Sequence, residues 1–284
     1  MGAEPSCIDG DPAMITVSVM KPLNIAHRGG AALRPENTMA AFRSAVALGA
    51  DGAELDVQLS ADGVAVVHHD YRLNPALTRE DGAWLKGEGP RIKDISFEQL
   101  RRFDLSRANP GSDYARTHPL LVPEDGARIP SLAEVAGLSQ SFLLMVELKS
   151  STDPASPDPI ALADAAFEAM KDQISRTIFV GFDWRGLTRI ISRAKEARCW
   201  FTTDELKGDA RMVLPFIKAA GGEGWFPSHQ DATVEMVAQA RALGLQVGAW
   251  TVNDPGEMKR LIGLQLDAIC TDRPDILQSL KQGG

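Results

Sequence analysis

From residue 23 onward the chain alternates between two hydrophobic rhythms. Short apolar runs of strand type fall at Leu23–Ala26, Gly52–Val57, Leu143–Leu148, Ile178–Phe182, Cys199–Thr202, Gly224–Phe226, Gln246–Trp250 and Ala268–Cys270. Between them lie stretches whose apolar residues recur every three or four positions, as in a helix with one buried face. Met39, Phe42, Val46 and Leu48 form one such face, capped at Asn37 or Thr38 and stopped at Gly49. Leu187, Ile190, Ile191 and Ala194 form another behind Asp183, and Val234, Val237 and Ala238 a third, opened by Asp231 and ended at Gly244. Asp254 followed by Pro255 pairs an N-cap with proline at the first helical position. Strands alternating with helices predict right-handed crossovers and a parallel sheet. The number of units predicts an α/β fold closed into a (β/α)8 TIM barrel.

One stretch breaks the rhythm. Residues 71–128 are rich in Gly, Pro, Asp and Arg and too long for a plain strand-to-helix loop. They are expected to be a small insertion after the second strand, over the active end of the barrel, with one short helix within Ser96–Phe103. Ser150–Pro159 is a second polar, proline-rich loop expected to border the site. Residues 1–22 read as a disordered leader, with Met14 or Met20 as alternative starts, and 23–284 as a single domain.

Composition narrows the functional classes. The net charge is −8 and no long Lys/Arg block occurs, which argues against binding a nucleic-acid backbone. No apolar run is long enough to span a membrane, and the first twenty residues lack the apolar core of a secretory signal, so a cytoplasmic protein is expected. Cys7, Cys199 and Cys270 are too far apart for a metal knuckle or a disulfide framework, and the latter two read as core residues.

The candidate chemistry is concentrated near the start of the chain. Strand side chains alternate faces, so Glu54 and Asp56 point the same way, as do Glu147 and Lys149. At a barrel mouth these three carboxylates would converge, and their mutual repulsion calls for a divalent cation. Oxygen-only ligands favour Mg²⁺ or Ca²⁺. His27 and His69 both end apolar runs, where they can transfer protons near neutral pH; His68 faces the opposite side from His69. Arg28 suits a phosphate oxygen through its planar fork, and Lys149 adds a point charge. Glu36 and Asn37 are expected to orient neighbouring groups and start the first helix, with Glu36 linked to His27. His229 ends the sixth run and is a further candidate contact.

Taken in order, His27-Arg28-Gly29, Pro35-Glu36-Asn37-Thr38, Glu54-x-Asp56, Asp62-Gly63, His69-Asp70, Glu147-x-Lys149, Trp250-Thr251-Val252-Asn253 and Thr271-Asp272-Arg273-Pro274 closely resemble the glycerophosphodiester phosphodiesterase family. The resemblance runs from about Asn24 to Leu280. It implies the barrel with its insertion, metal ligation by Glu54, Asp56 and Glu147, and a substrate cleft lined by Trp250 and Phe182. Asp70 joins Glu36 and Asn37 among the supporting residues. It also implies metal-dependent cleavage of glycerophosphodiesters to glycerol 3-phosphate and an alcohol. The expected route is attack by the neighbouring glycerol hydroxyl, a cyclic phosphate, and its opening by water, with His27 favoured as base and His69 as acid. Two alternatives are a lyase-like enzyme that stops at the cyclic phosphate and a non-catalytic barrel that binds phosphorylated ligands.

Overall fold

The computed structural model describes residues 21–204, 206 and 212–283. Cys7 and almost all of the expected leader lie outside the described residues. The strands are β1 (Leu23–Ala26), β2 (Gly52–Leu59), β3 (Ala65–Val67), β4 (Arg79–Glu80), β5 (Ala83–Trp84), β6 (Leu143–Leu148), β7 (Thr177–Gly181), β8 (Arg198–Thr203), β9 (Gly224–Pro227), β10 (Gln246–Ala249) and β11 (Ala268–Thr271). The helices are α1 (Met39–Ala47), α2 (Phe97–Leu100), α3 (Asp113–Thr117), α4 (Leu132–Ala136), α5 (Pro159–Met170), α6 (Trp184–Arg193), α7 (Val213–Ala219), α8 (Val234–Ala242), α9 (Pro255–Gly263) and α10 (Pro274–Gln282).

The main sheet runs β1-β11-β10-β9-β8-β7-β6-β2-β3, and a further β1–β2 pairing closes it. Every pairing is parallel except β2–β3, where Val57 lies opposite Val67 in an antiparallel hairpin. All the expected runs are therefore barrel strands, with ends shifted by a residue or two. The apolar run before His69 forms the short strand β3, which joins β2 as an antiparallel hairpin partner and not as a barrel strand.

Alternation along the strands divides the core in two. Ala53, Leu55, Val57, Leu144, Val146, Phe179 and Phe201 face outward against the helices. Ile25, Met145, Ile178, Val180, Trp200, Phe226, Ala268 and Cys270 fill the barrel interior. Trp200 fits there because Gly224 has no side chain; a Cβ at Gly224 would lie 2.6 Å from the indole. Apolar groups thus fill the middle of the barrel, and a polar group lies at the strands' N-terminal ends, where Arg198 donates to Glu223 and Gln246 and Trp200 Nε1 donates to Glu223.

Local capping follows the sequence signals with one exception. Thr38 caps α1 by accepting from Ala41 N at 3.2 Å, and Asp183 and Asp254 cap α6 and α9. Helix α8 is capped by Thr233 rather than Asp231; Thr233 Oγ1 accepts from Met236 N, while Asp231 accepts from Leu206 N. Threonine directly before the first turn reaches the orphan amide that Asp231, two residues further back, cannot.

Between β3 and α4 lie the β4–β5 ribbon, α2 and α3. Only Phe97–Leu100 of the expected Ser96–Phe103 helix is helical, started by a Ser96–Gln99 capping box. This region has its own apolar cluster, with Leu73, Ile92, Leu100, Phe103 and Leu105 packed against Val66 and Ile129. Among the described residues no helix is long and apolar enough to cross a membrane.

Candidate active site

Glu54 and Asp56 project from the inner face of β2, and Glu147 from that of β6. Parallel register sets Asp56 beside Glu147 and Glu54 beside Met145. The three carboxylates are buried, with an oxygen from each within 4.8 Å of the others. Glu54 Oε2 accepts from Arg28 N at 3.0 Å, while Glu54 Oε1 is buried with no hydrogen-bond partner. Burial and the neighbouring charges of Asp56 and Glu147 push the Glu54 carboxyl well above its ordinary pKa. Burial acts on Asp56 in the same direction. There, however, Arg28, His69, Lys149 and His27 outweigh it and hold the carboxyl below the usual range. Converging acids with an orphaned buried oxygen are the donor set of an oxygen-ligand cation, so these residues can hold a metal ion.

Cationic groups ring the carboxylates. Lys149 Nζ donates to Glu147 Oε1 at 2.7 Å and lies 3.7 Å from Asp56 Oδ1. Burial opposes its charge, but Glu147 and Asp56 prevail and keep the ammonium protonated above its ordinary pKa. Arg28 donates from Nη1 to Glu36 Oε1 at 2.9 Å and places Nε 3.2 Å from Asp56 Oδ2. Its backbone is left-handed, at φ 50, in a tight turn that continues through Gly29. A Cβ at Gly29 would sit 2.7 Å from that of Ala41, so glycine lets the turn lie against α1.

Both histidines are held by an aspartate at Nδ1. His27 Nδ1 lies 2.6 Å from Asp272 Oδ1, and His69 Nδ1 lies 2.7 Å from Asp70 Oδ1. A carboxylate at Nδ1 draws the ring proton there and leaves Nε2 for chemistry. His27 Nε2 lies 3.8 Å from Glu54 Oε2, on the carboxylate side. Asp272 is held further by Asn253 Nδ2 at 2.6 Å, and Asp70 by Asn74 Nδ2 at 2.8 Å. Burial would raise Asp272, but the adjacent His27 charge and hydrogen bond lower it to about 2.

The Pro35–Thr38 turn is closed on itself and tied to the site through Glu36 and Asn37. Pro35 O accepts from Thr38 Oγ1, and Asn37 donates from Nδ2 to Asp56 Oδ2 at 2.7 Å. Glu36 binds Arg28 rather than the expected His27, whose partner is Asp272. Nearby, Phe182 and Trp250 meet edge to face at 5.3 Å, and Lys149 Nζ stands 5.9 Å over the Phe182 ring. His68 is buried within electrostatic reach of Asp70 and Glu36, and His229 pairs with Glu257 at 2.9 Å.

The sequence profile of the glycerophosphoryl diester phosphodiesterase family matches residues 27–276. The chain belongs to this family. It is 32% identical over 273 residues to a glycerophosphodiester phosphodiesterase of Caldanaerobacter subterraneus, covering 93% of this chain and 100% of that one. A glycerophosphodiester phosphodiesterase of Bacillus altitudinis is 31% identical, covering 88% and 94%. Among solved structures, a putative glycerophosphoryl diester phosphodiesterase of Silicibacter pomeroyi superposes with a TM-score of 0.84 at 31% identity, over 92% of this chain and 95% of that one. An Oleispira antarctica phosphodiesterase, solved with the product sn-glycerol-3-phosphate, superposes at 0.74 with 25% identity, over 93% and 98%. As a member of this phosphodiesterase family the protein is a phosphoric diester hydrolase.

Two parts of this phosphodiesterase site were not assigned from the sequence. Asp272 and Asn253 were visible only as motif letters, and their role as a clamp on His27 emerges from the adjacency of β1 and β11. Tyr114, whose hydroxyl reaches Glu36 Oε2 at 2.6 Å, lies 78 residues from its partner with no periodic signal around it.

Proposed function

We propose that this phosphodiesterase hydrolyses glycerophosphodiesters to glycerol 3-phosphate and an alcohol in a divalent-cation-dependent reaction. The observation that carries this reading is the buried Glu54, Asp56 and Glu147 cluster, lying beside His27 and within electrostatic reach of both histidines. Those carboxylates would hold the cation, Mg²⁺ or Ca²⁺, which when bound supplies positive charge for the phosphoryl oxygens.

The chain's own residues account for the rest. Arg28 and Lys149 neutralise the phosphoryl group as charge develops on it. One histidine takes the proton from the glycerol hydroxyl next to the phosphoester, and that oxygen bonds to phosphorus. The other gives a proton to the departing alcohol oxygen. The cyclic phosphate is then opened by water with the two roles exchanged. Asp272 and Asp70 keep each ring oriented with Nε2 available, and Asn37 and Glu36 hold Asp56 and Arg28. Phe182 and Trp250 provide an apolar wall for the glycerol carbons.

The 71–128 segment acts as an inserted subdomain at the active end. Together with the barrel loops it forms a cleft of about 400 Å³, lined by Ala32, His118, Leu120, Asn253, Asp272 and Arg273. Asp272 is common to this cleft and to the His27 clamp, so the cleft is the natural place for the alcohol portion. The test is calorimetric titration of chelator-treated protein with Mg²⁺ or Ca²⁺, repeated on Glu54→Gln. A saturable cation site that the substitution removes supports the reading; wild-type affinity in the variant contradicts it.

A further inference from the structure

The 71–128 segment does more than wall the cleft, because one of its side chains enters the charge network of the barrel. Tyr114 is the second residue of α3. Its hydroxyl donates to Glu36 Oε2 at 2.6 Å, and the other oxygen of the same carboxylate accepts from Arg28 Nη1 at 2.9 Å. Glu36 is buried, so both of its oxygens are committed, one to the segment and one to the arginine. The Tyr114 ring is itself braced. It stacks on His118 with centroids 4.0 Å apart and planes 12° from parallel, and Tyr114 O lies 2.9 Å from His118 Nδ1.

We propose that Tyr114 is a positioning residue that sets the Arg28 guanidinium through Glu36, making phosphate binding at the barrel mouth depend on the docked 71–128 segment. The clamp is directional. A buried carboxylate with one donor removed swings or re-pairs, because an unmet buried acceptor is costly. Arg28 follows it, since its left-handed backbone leaves the side chain steered by Glu36 on one side and Asp56 on the other. Burial and the Glu36 charge keep the phenol far above its ordinary pKa, so Tyr114 remains a donor throughout the working range. This coupling deepens the phosphodiesterase reading and rests on it.

The test is Tyr114→Phe, which removes the hydroxyl but keeps the ring and its stack on His118. For glycerophosphocholine, kcat/KM is expected to fall roughly tenfold to hundredfold, the range for a lost hydrogen bond to a charged group. Affinity for glycerol 3-phosphate should fall with it, and the melting temperature should hold. In the double variant with Glu36→Gln, the second change should add little, as for residues acting in series. A structural role would show the opposite pattern: His118→Ala would lower the melting temperature and Tyr114→Phe would retain wild-type kinetics. The readout that needs no turnover is the Arg28 Nε–H resonance in nitrogen-15-labelled protein. It should shift in Tyr114→Phe and in Glu36→Gln alike. An unchanged Arg28 resonance, or wild-type kcat/KM in Tyr114→Phe, overturns the proposal. Failure of the wild type to release glycerol 3-phosphate would instead count against the phosphodiesterase reading, and the resonance would still decide whether Tyr114 sets Arg28.

Discussion

The barrel rim and the 71–128 segment hold polar groups by different means. At the rim, Glu54, Asp56 and Glu147 stand on paired strands, and their spacing is set by backbone ladders. Across the cleft, Tyr114 and His118 stand on and beside a five-residue helix in a segment with its own small apolar cluster. The rim gathers charges that repel one another and needs a rigid frame to do so. The segment contributes single contacts, whose exact placement depends on how it packs. In the proposed reaction the cation-holding carboxylates sit on strands, whereas contact with a variable alcohol falls to the inserted segment, the kind of region that tolerates change.

Substitutions on the two sides should therefore fail differently. The largest effect belongs to the rim. His27→Ala or His69→Ala should cut turnover by roughly 10²–10⁴-fold, as for general acid–base groups, with the fold intact. Steady-state kinetics alongside a circular-dichroism melt would check this, and near-normal turnover in either variant would remove that histidine from the reaction.

Next comes a core change in the segment. Leu73 is fully buried in the segment's own cluster. Leu73→Ala should destabilise by about 2–5 kcal/mol, the usual range for a large-to-small core substitution. Urea unfolding would measure it. A separate early transition, with the barrel signal unaffected, would sharpen the contrast; a wild-type curve would dissolve it.

A smaller effect concerns the His27 clamp. The Asp272 pKa is depressed to about 2 in the folded protein. Its contribution to stability is therefore fully present above its unfolded value near 4 and is lost as pH falls through about 2. The pH-dependent part amounts to about 2 kcal/mol. Comparing wild type with Asp272→Asn should show their stability difference shrinking across that window. A difference independent of pH would mean that Asp272 is not held as a carboxylate by His27.

How much of this was legible beforehand follows the same division. The strand runs and the Glu54-x-Asp56 and Glu147-x-Lys149 spacings could be read directly, because side-chain alternation is a local rule that survives into the fold. His69-Asp70 was legible for the same reason, its partners being sequence neighbours. The His27–Asp272 pair was not, because it exists only once β1 and β11 close the barrel. The same holds for Glu36, whose choice of Arg28 over His27 depends on the left-handed turn at Arg28. The segment offered the least, since neither its two-residue strands nor Tyr114 leave a periodic trace.

The smallest expected effect is at the aromatic wall. Phe182 is exposed, meets Trp250 edge to face and lies beneath Lys149 Nζ. Phe182→Ala should raise KM by a few-fold, about 1 kcal/mol, with kcat little changed. A kcat loss as large as that of the histidine variants would place the ring among the reacting groups.

The most direct test is phosphorus NMR of chelator-treated protein with glycerophosphocholine, followed before and after addition of Mg²⁺ or Ca²⁺. A cation-dependent phosphomonoester signal at the position of glycerol 3-phosphate is the expected result. Equal hydrolysis with the chelator present, a cyclic phosphate that accumulates without being opened, or no new signal with the choline, ethanolamine and glycerol diesters alike would contradict it.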